Sequence, residues 1–181
     1  MQRYVALLRG IAPSGQNMTN DRLSGVFEEL GLADVGSVLA SGNITFSTDT
    51  TDVPALERRI EEALSRLLGV RSCTIVRSSA ELRTLVDSDP FGGARHERRS
   101  YLTATFLQNA AGVPDVPPMT PGLATRVIGY DAPARAVLAV TDNSDPSSGS
   151  RLMTWLEKAY GKDITTRSWL TVQRIVTKLE H

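Results

Sequence analysis

A chain of 181 residues, 41% hydrophobic and 22% charged, has the makeup of a globular protein with enough apolar material for one domain or two small lobes. Its twenty basic and twenty acidic residues balance to a formal net charge of +0, which argues against a main task of gripping nucleic acid or an anionic membrane. No apolar run approaches membrane-spanning length, and the lone Cys73 excludes an intramolecular disulfide and fits a reducing cytoplasm.

Lysine occurs only at 158, 162 and 178 while arginine is abundant, so an arginine is not by itself a chosen anion contact. The ending Leu179-Glu180-His181 reads as the remnant of a tag, which leaves His96 as the one native histidine.

Taken in order, Arg3–Leu8 is a near-continuous apolar run suited to a strand buried on both faces. A loop with Pro13, Ser14 and Gly15 follows. Thr19 or Asn20 caps a helix carrying Leu23, Val26, Phe27 and Leu30 on one face, and Gly31 stops it. Val35–Ala40 and Asn43–Ser47 form a hairpin around Ser41-Gly42-Asn43, where Gly42 supplies positive φ. Asp52 caps a second helix, with Pro54 in its first turn and Gly69 at its end, and Ser72–Arg77 is a further strand. The order β-α-β-β-α-β is the ferredoxin-like arrangement.

Ser78 and Glu81 form a capping box for a short helix that ends before Pro90, and Phe91–Ser100 is a charged loop. Tyr101–Leu107 is a strand, Pro114–Gly122 an irregular Pro-rich stretch with a short helical turn, and Arg126–Tyr130 with Arg135–Thr141 a second hairpin. Ser150 caps a helix stopped by Gly161, Ile164–Thr166 is a brief extended piece, and Ser168 opens a last helix. The fold class is therefore α+β: two ferredoxin-like lobes with antiparallel sheets and an extra C-terminal helix. The expected division is 1–77 for the first lobe, 78–100 for a connector, 101–178 for the second lobe and 179–181 for the tag remnant. No residue-level repeat is evident between the halves.

No established catalytic pattern is present. His96 stands in a solvated, charged loop and reads as a surface residue, and Cys73 reads as an inert buried thiol. There is no clustered Cys/His metal pattern, no G-x-S-x-G elbow, no phosphate loop and no dinucleotide fingerprint, so no cofactor is expected. Three polar places survive. Arg9-Gly10 closes the first strand ahead of Ser14, and Ser41-Gly42-Asn43 makes the turn, for which pure turn chemistry is the favoured reading. Thr165-Thr166-Arg167-Ser168-Trp169 sets an arginine just before a helix start, a place that attracts anions.

These segments, Leu7-Leu8-Arg9-Gly10-Ile11, Ala40-Ser41-Gly42-Asn43-Ile44-Thr45-Phe46 and Thr165-Thr166-Arg167-Ser168-Trp169-Leu170-Thr171-Val172, carry a resemblance to the bacterial family DUF1697, as does Asp89-Pro90-Phe91. It runs from Tyr4 to about Lys178. It implies a two-lobed α+β fold and no established activity. Two departures stand out: Ala12-Pro13-Ser14-Gly15 where the family typically reads Asn-Val-Gly-Gly, and Ser168 in place of an Asn.

The leading expectation is a protein that binds a small anionic ligand in a cleft between lobes, through Arg9, Gly10, Ser14, Ser41, Asn43, Thr166, Arg167 and Trp169. The alternative is a homo-oligomeric structural or interaction protein whose sheet edge pairs in a homodimer, and the expected oligomeric state is monomer or homodimer. A nucleic-acid module using Tyr4 and Phe46 for base stacking ranks last.

Overall fold

Strand β1 (Gln2–Leu8) lies inside a four-stranded antiparallel sheet of order β2-β3-β1-β4, with β2 at Ala33–Ser37, β3 at Asn43–Thr48 and β4 at Thr74–Ser78. The computed structural model describes residues 1–12, 15, 17–40, 42–109 and 124–181. These divide into two units, Met1–Leu82 with Arg174–His181, and Arg83–Gln173.

In the first unit, helices α1 (Asn20–Glu29) and α2 (Val53–Leu68) pack on one face of the sheet. Strand alternation sends Tyr4, Ala6 and Leu8 to that face, against Leu23, Val26 and Phe27 of α1 and Leu56, Ile60 and Leu64 of α2. Val5 and Leu7 on the opposite face are also fully buried, which is why the strand reads as a continuous apolar run. Tyr4 and Phe46 stack on each other in the core, with centroids 5.8 Å apart, so neither ring is offered to solvent for base stacking. The expected caps form: Thr19 accepts from Arg22 N–H, Asp52 Oδ1 accepts from Ala55 N–H, and Gly69 ends α2 in the left-handed conformation.

Edge strand β4 is closed off by carboxylates. Its Thr74 and Val76 amides each donate to a glutamate one α2 turn apart, Glu61 and Glu57, both at 2.8 Å, and Ser78 N–H donates to Glu81 at 2.7 Å. Outward amides of an edge strand are otherwise a template for pairing with another chain.

In the second unit, α3 (Ser79–Asp87), which begins in the first, leads through the loop to β5 (Tyr101–Leu107). Strands β6 (Thr125–Asp131), β7 (Ala136–Thr141) and β8 (Ile164–Ser168) complete an antiparallel sheet of order β6-β7-β5-β8. Helix α4 (Ser148–Tyr160) buries Leu152 and Leu156 against Leu107, Val137, Ala139 and Ile164. Helix α5 (Trp169–Glu180) starts in the second unit and ends in the first, where Leu179 is buried.

Several local expectations are corrected. Strand β2 stops at Ser37, because the chain turns at Leu39, which has φ +59°, a rare conformation for leucine. Helix α4 begins at Ser148, not after Ser150: the Asp145 carboxylate accepts from Ser147 N–H and starts the turn early, and Ser150 Oγ donates back to Ser147 O within the helix. Strand β4 starts at Thr74, leaving Cys73 half-buried just ahead of it, and β8 runs on to Ser168. The Pro-rich stretch at 114–122 lies outside the described residues.

Candidate functional site

The segments singled out in the sequence fall into two groups. In the first unit, the end of β1 meets the turn before β3. Leu8 N–H donates to Gly42 O at 2.8 Å, and a Cβ on Gly42 would come within 2.7 Å of Ile11 Cγ1. With φ at +70° as well, the position demands glycine on two counts. Asn43 is fully buried and its Nδ2 donates to Val38 O at 2.9 Å, while Val38 N–H donates to Asn43 O, so this amide closes the turn. Arg9 is half-buried and its backbone is held on both sides, N–H to Cys73 O and carbonyl to Ser72 Oγ. Gly10 is exposed at φ +73°. Ser14 and Ser41 lie outside the described residues.

In the second unit, alternation on β8 separates the other candidates. Thr166 packs toward α4, with Oγ1 at 2.8 Å from Thr105 Oγ1 and 3.0 Å from Met153 Sδ. Arg167 points to the opposite face, where Nη1 donates to Thr165 Oγ1 at 2.8 Å and to Thr166 O at 3.0 Å. Burial of the guanidinium pulls its pKa down to about 10, which leaves it protonated at neutral pH. Trp169, the first residue of α5, is buried and meets Phe91 edge to face at 4.9 Å.

That aromatic pair stands in a pocket of about 280 Å³ within the second unit. Its wall includes Asp89, Phe91, His96, Leu102, Trp169 and Gln173. Phe91 comes from Asp89-Pro90-Phe91 and Trp169 from the Arg167-Ser168-Trp169 segment, so two widely separated motifs converge here. His96, which reads as a surface residue from its charged neighbours, is half-buried and locally fixed. Its Nδ1 accepts from Leu102 N–H at 3.2 Å, its ring lies 4.3 Å from that of Tyr101, and burial lowers its pKa.

The reason lies in the sheet register. The last β5–β8 pair is Thr103 with Ser168, and Trp169 turns into α5 instead of pairing with Leu102. Leu102 N–H is thereby left without a strand partner, and His96 supplies one. The sequence signal was available only in combination: a histidine a few residues ahead of a strand whose neighbour ends early. Asp89, at φ +42°, accepts from Gly93 N–H at 3.1 Å and so shapes the loop that carries His96. Among the described residues no group of three or more His, Cys, Asp or Glu is placed to hold a metal ion, and no helix is long and apolar enough to cross a membrane.

Comparison with known proteins adds a family and a fold. The family described as "Protein of unknown function (DUF1697)" matches residues 1–121. The conserved bacterial protein SP0830 from Streptococcus pneumoniae has a similar structure, with a TM-score of 0.74 at 20% identity over 100% of this chain and 99% of that one. No curated protein matches.

Proposed function

The chain belongs to the DUF1697 family of proteins of unknown function, and for this member we propose a role in binding a small molecule in the pocket of the second unit. One observation carries the reading: an edge-to-face aromatic pair from two separate motifs shares a pocket with a single oriented imidazole. The wall mixes Phe91, Leu102 and Trp169 with polar Asp89, His96 and Gln173, and about 280 Å³ stands just below the roughly 300–1,000 Å³ common for ligand sites.

An anion held by Arg9 and Arg167 has less support. The Arg167 guanidinium donates into its own strand, and the charged side chain lining the pocket is the carboxylate of Asp89.

Chemical-shift mapping tests the reading. A library of small ring compounds is expected to contain binders that perturb the Trp169 indole, the Leu102 amide and the Gly93 amide together. A library that leaves these signals unmoved, or perturbs only residues elsewhere, overturns it.

A further inference from the structure

We infer that His96 sets the ligand class of this pocket, selecting an uncharged, flat molecule that offers a hydrogen-bond acceptor, such as a ring bearing a carbonyl or carboxamide. The inference rests on the pocket being a ligand site.

Nδ1 of an imidazole accepts a hydrogen bond only when it carries no proton. Leu102 N–H donates to Nδ1 of His96, so the neutral ring must hold its proton on Nε2. The Tyr101 ring at 4.3 Å restrains the imidazole further. Burial works in the same direction, disfavouring the charged form. His96 lines the pocket with Phe91, Leu102 and Trp169, and with Nδ1 taken by Leu102 N–H the Nε2 proton is the donor its ring has left to offer a ligand.

A ligand without an acceptor leaves that donor unpaired on desolvation, and unmade hydrogen bonds are costly. Charge narrows the class from the other side. Asp89 lines the same pocket, and a carboxylate there repels an anionic acceptor. A cationic group is attracted by Asp89 but offers the Nε2–H no acceptor, so it leaves that donor unpaired. An uncharged carbonyl satisfies both constraints.

Benzamide, benzoate and benzylamine share a ring and differ in these properties, which makes them suitable probes. Titrated into the full-length protein and followed at the Trp169 indole signal, benzamide is expected to bind about tenfold more tightly than either charged probe. Two variants isolate the imidazole. In His96→Asn the side-chain oxygen keeps an acceptor near Leu102 N–H but removes the donor at the Nε2 position, and benzamide should weaken about tenfold. In His96→Gln the amide nitrogen reaches the Nε2 position, and part of the affinity should return.

If none of the three probes binds the wild-type protein, the pocket reading fails and this inference fails with it. If the probes bind with no preference for benzamide, or if His96→Asn binds benzamide as well as wild type, only the choice of ligand by His96 is overturned. Nitrogen NMR of the imidazole gives a test independent of any ligand. A proton found on Nδ1 overturns the inference and leaves the pocket reading standing.

Discussion

In the first unit Arg77 stands one residue before the end of β4, pairs with Val5 and is fully buried; in the second, Arg167 holds the same place on β8, opposite Ala104, and is half-buried. Each guanidinium uses Nη1 to donate to the carbonyl of the residue before it, Val76 O at 2.7 Å and Thr166 O at 3.0 Å. Each arginine is followed by a serine that closes the strand and caps the next helix, Ser78 for α3 and Ser168 for α5. Two strand-to-helix junctions are thus built from the same dipeptide, and they differ in how far the arginine is withdrawn from water. A charge taken out of water needs compensating hydrogen bonds, so the more deeply buried copy should tolerate change less.

The largest expected effect tests that directly. Arg77→Ala removes a fully buried side chain and should cost about 3 kcal/mol, within the range for large-to-small core changes. Arg167→Ala, at a half-buried position whose guanidinium is desolvated, should cost less, about 2 kcal/mol. Urea unfolding followed by circular dichroism measures both. Equal losses would mean that burial is not what separates the junctions.

The helix caps provide a finer comparison. Ser78 and Glu81 cap reciprocally: Glu81 N–H donates to Ser78 Oγ at 3.2 Å, and Ser78 N–H donates back to the Glu81 carboxylate at 2.7 Å. Ser168 Oγ receives Thr171 N–H at 3.3 Å and shares a hydrogen bond with the Thr171 hydroxyl, with no carboxylate in the exchange. Ser78→Ala should therefore cost about 1.5 kcal/mol and Ser168→Ala about 0.5–1 kcal/mol. Thermal melts of the two variants decide the order, and a larger loss for Ser168→Ala would reverse it.

How much of this was legible beforehand follows from range. Signals confined to a few residues were readable: Asp52 before Pro54, the Ser78–Glu81 box, Gly69 and Gly161 as stops, and the alternation of β1. The α+β class with two antiparallel sheets followed from the order of such signals. Features that depend on where another strand ends were not. His96 acquires its role because β8 stops pairing one residue short of Leu102, which no window around His96 contains. The repeat of Arg-Ser before a helix was present in the letters, but a dipeptide is too short to stand out until its two copies occupy matching sheet positions. Asn43 shows the converse: a polar residue at an element end that proves to be fully buried turn chemistry.

The smallest effect concerns pH, and it sets the second unit apart from the first. A histidine whose folded pKa is lowered favours the neutral form when folded, whereas the unfolded chain takes up a proton near the ordinary value of about 6.5. Between that value and the lower folded one, the unfolded state binds more protons, so stability falls as pH falls. Above about pH 7.5 both states are neutral and the dependence vanishes. The event at the residue is specific: protonation of Nδ1 ends its acceptance of Leu102 N–H and unpins the imidazole from the end of β5. Both tryptophans of the chain, Trp155 and Trp169, belong to the second unit, so their fluorescence reports unfolding there. Melting curves read by that signal should shift to lower temperature as pH drops below about 6.5. His96→Asn, which carries no titrating group at this position, should show a shallower fall. An identical slope in the variant would assign the pH dependence to other groups and leave His96 exposed to solvent in the folded state as it is in the unfolded chain.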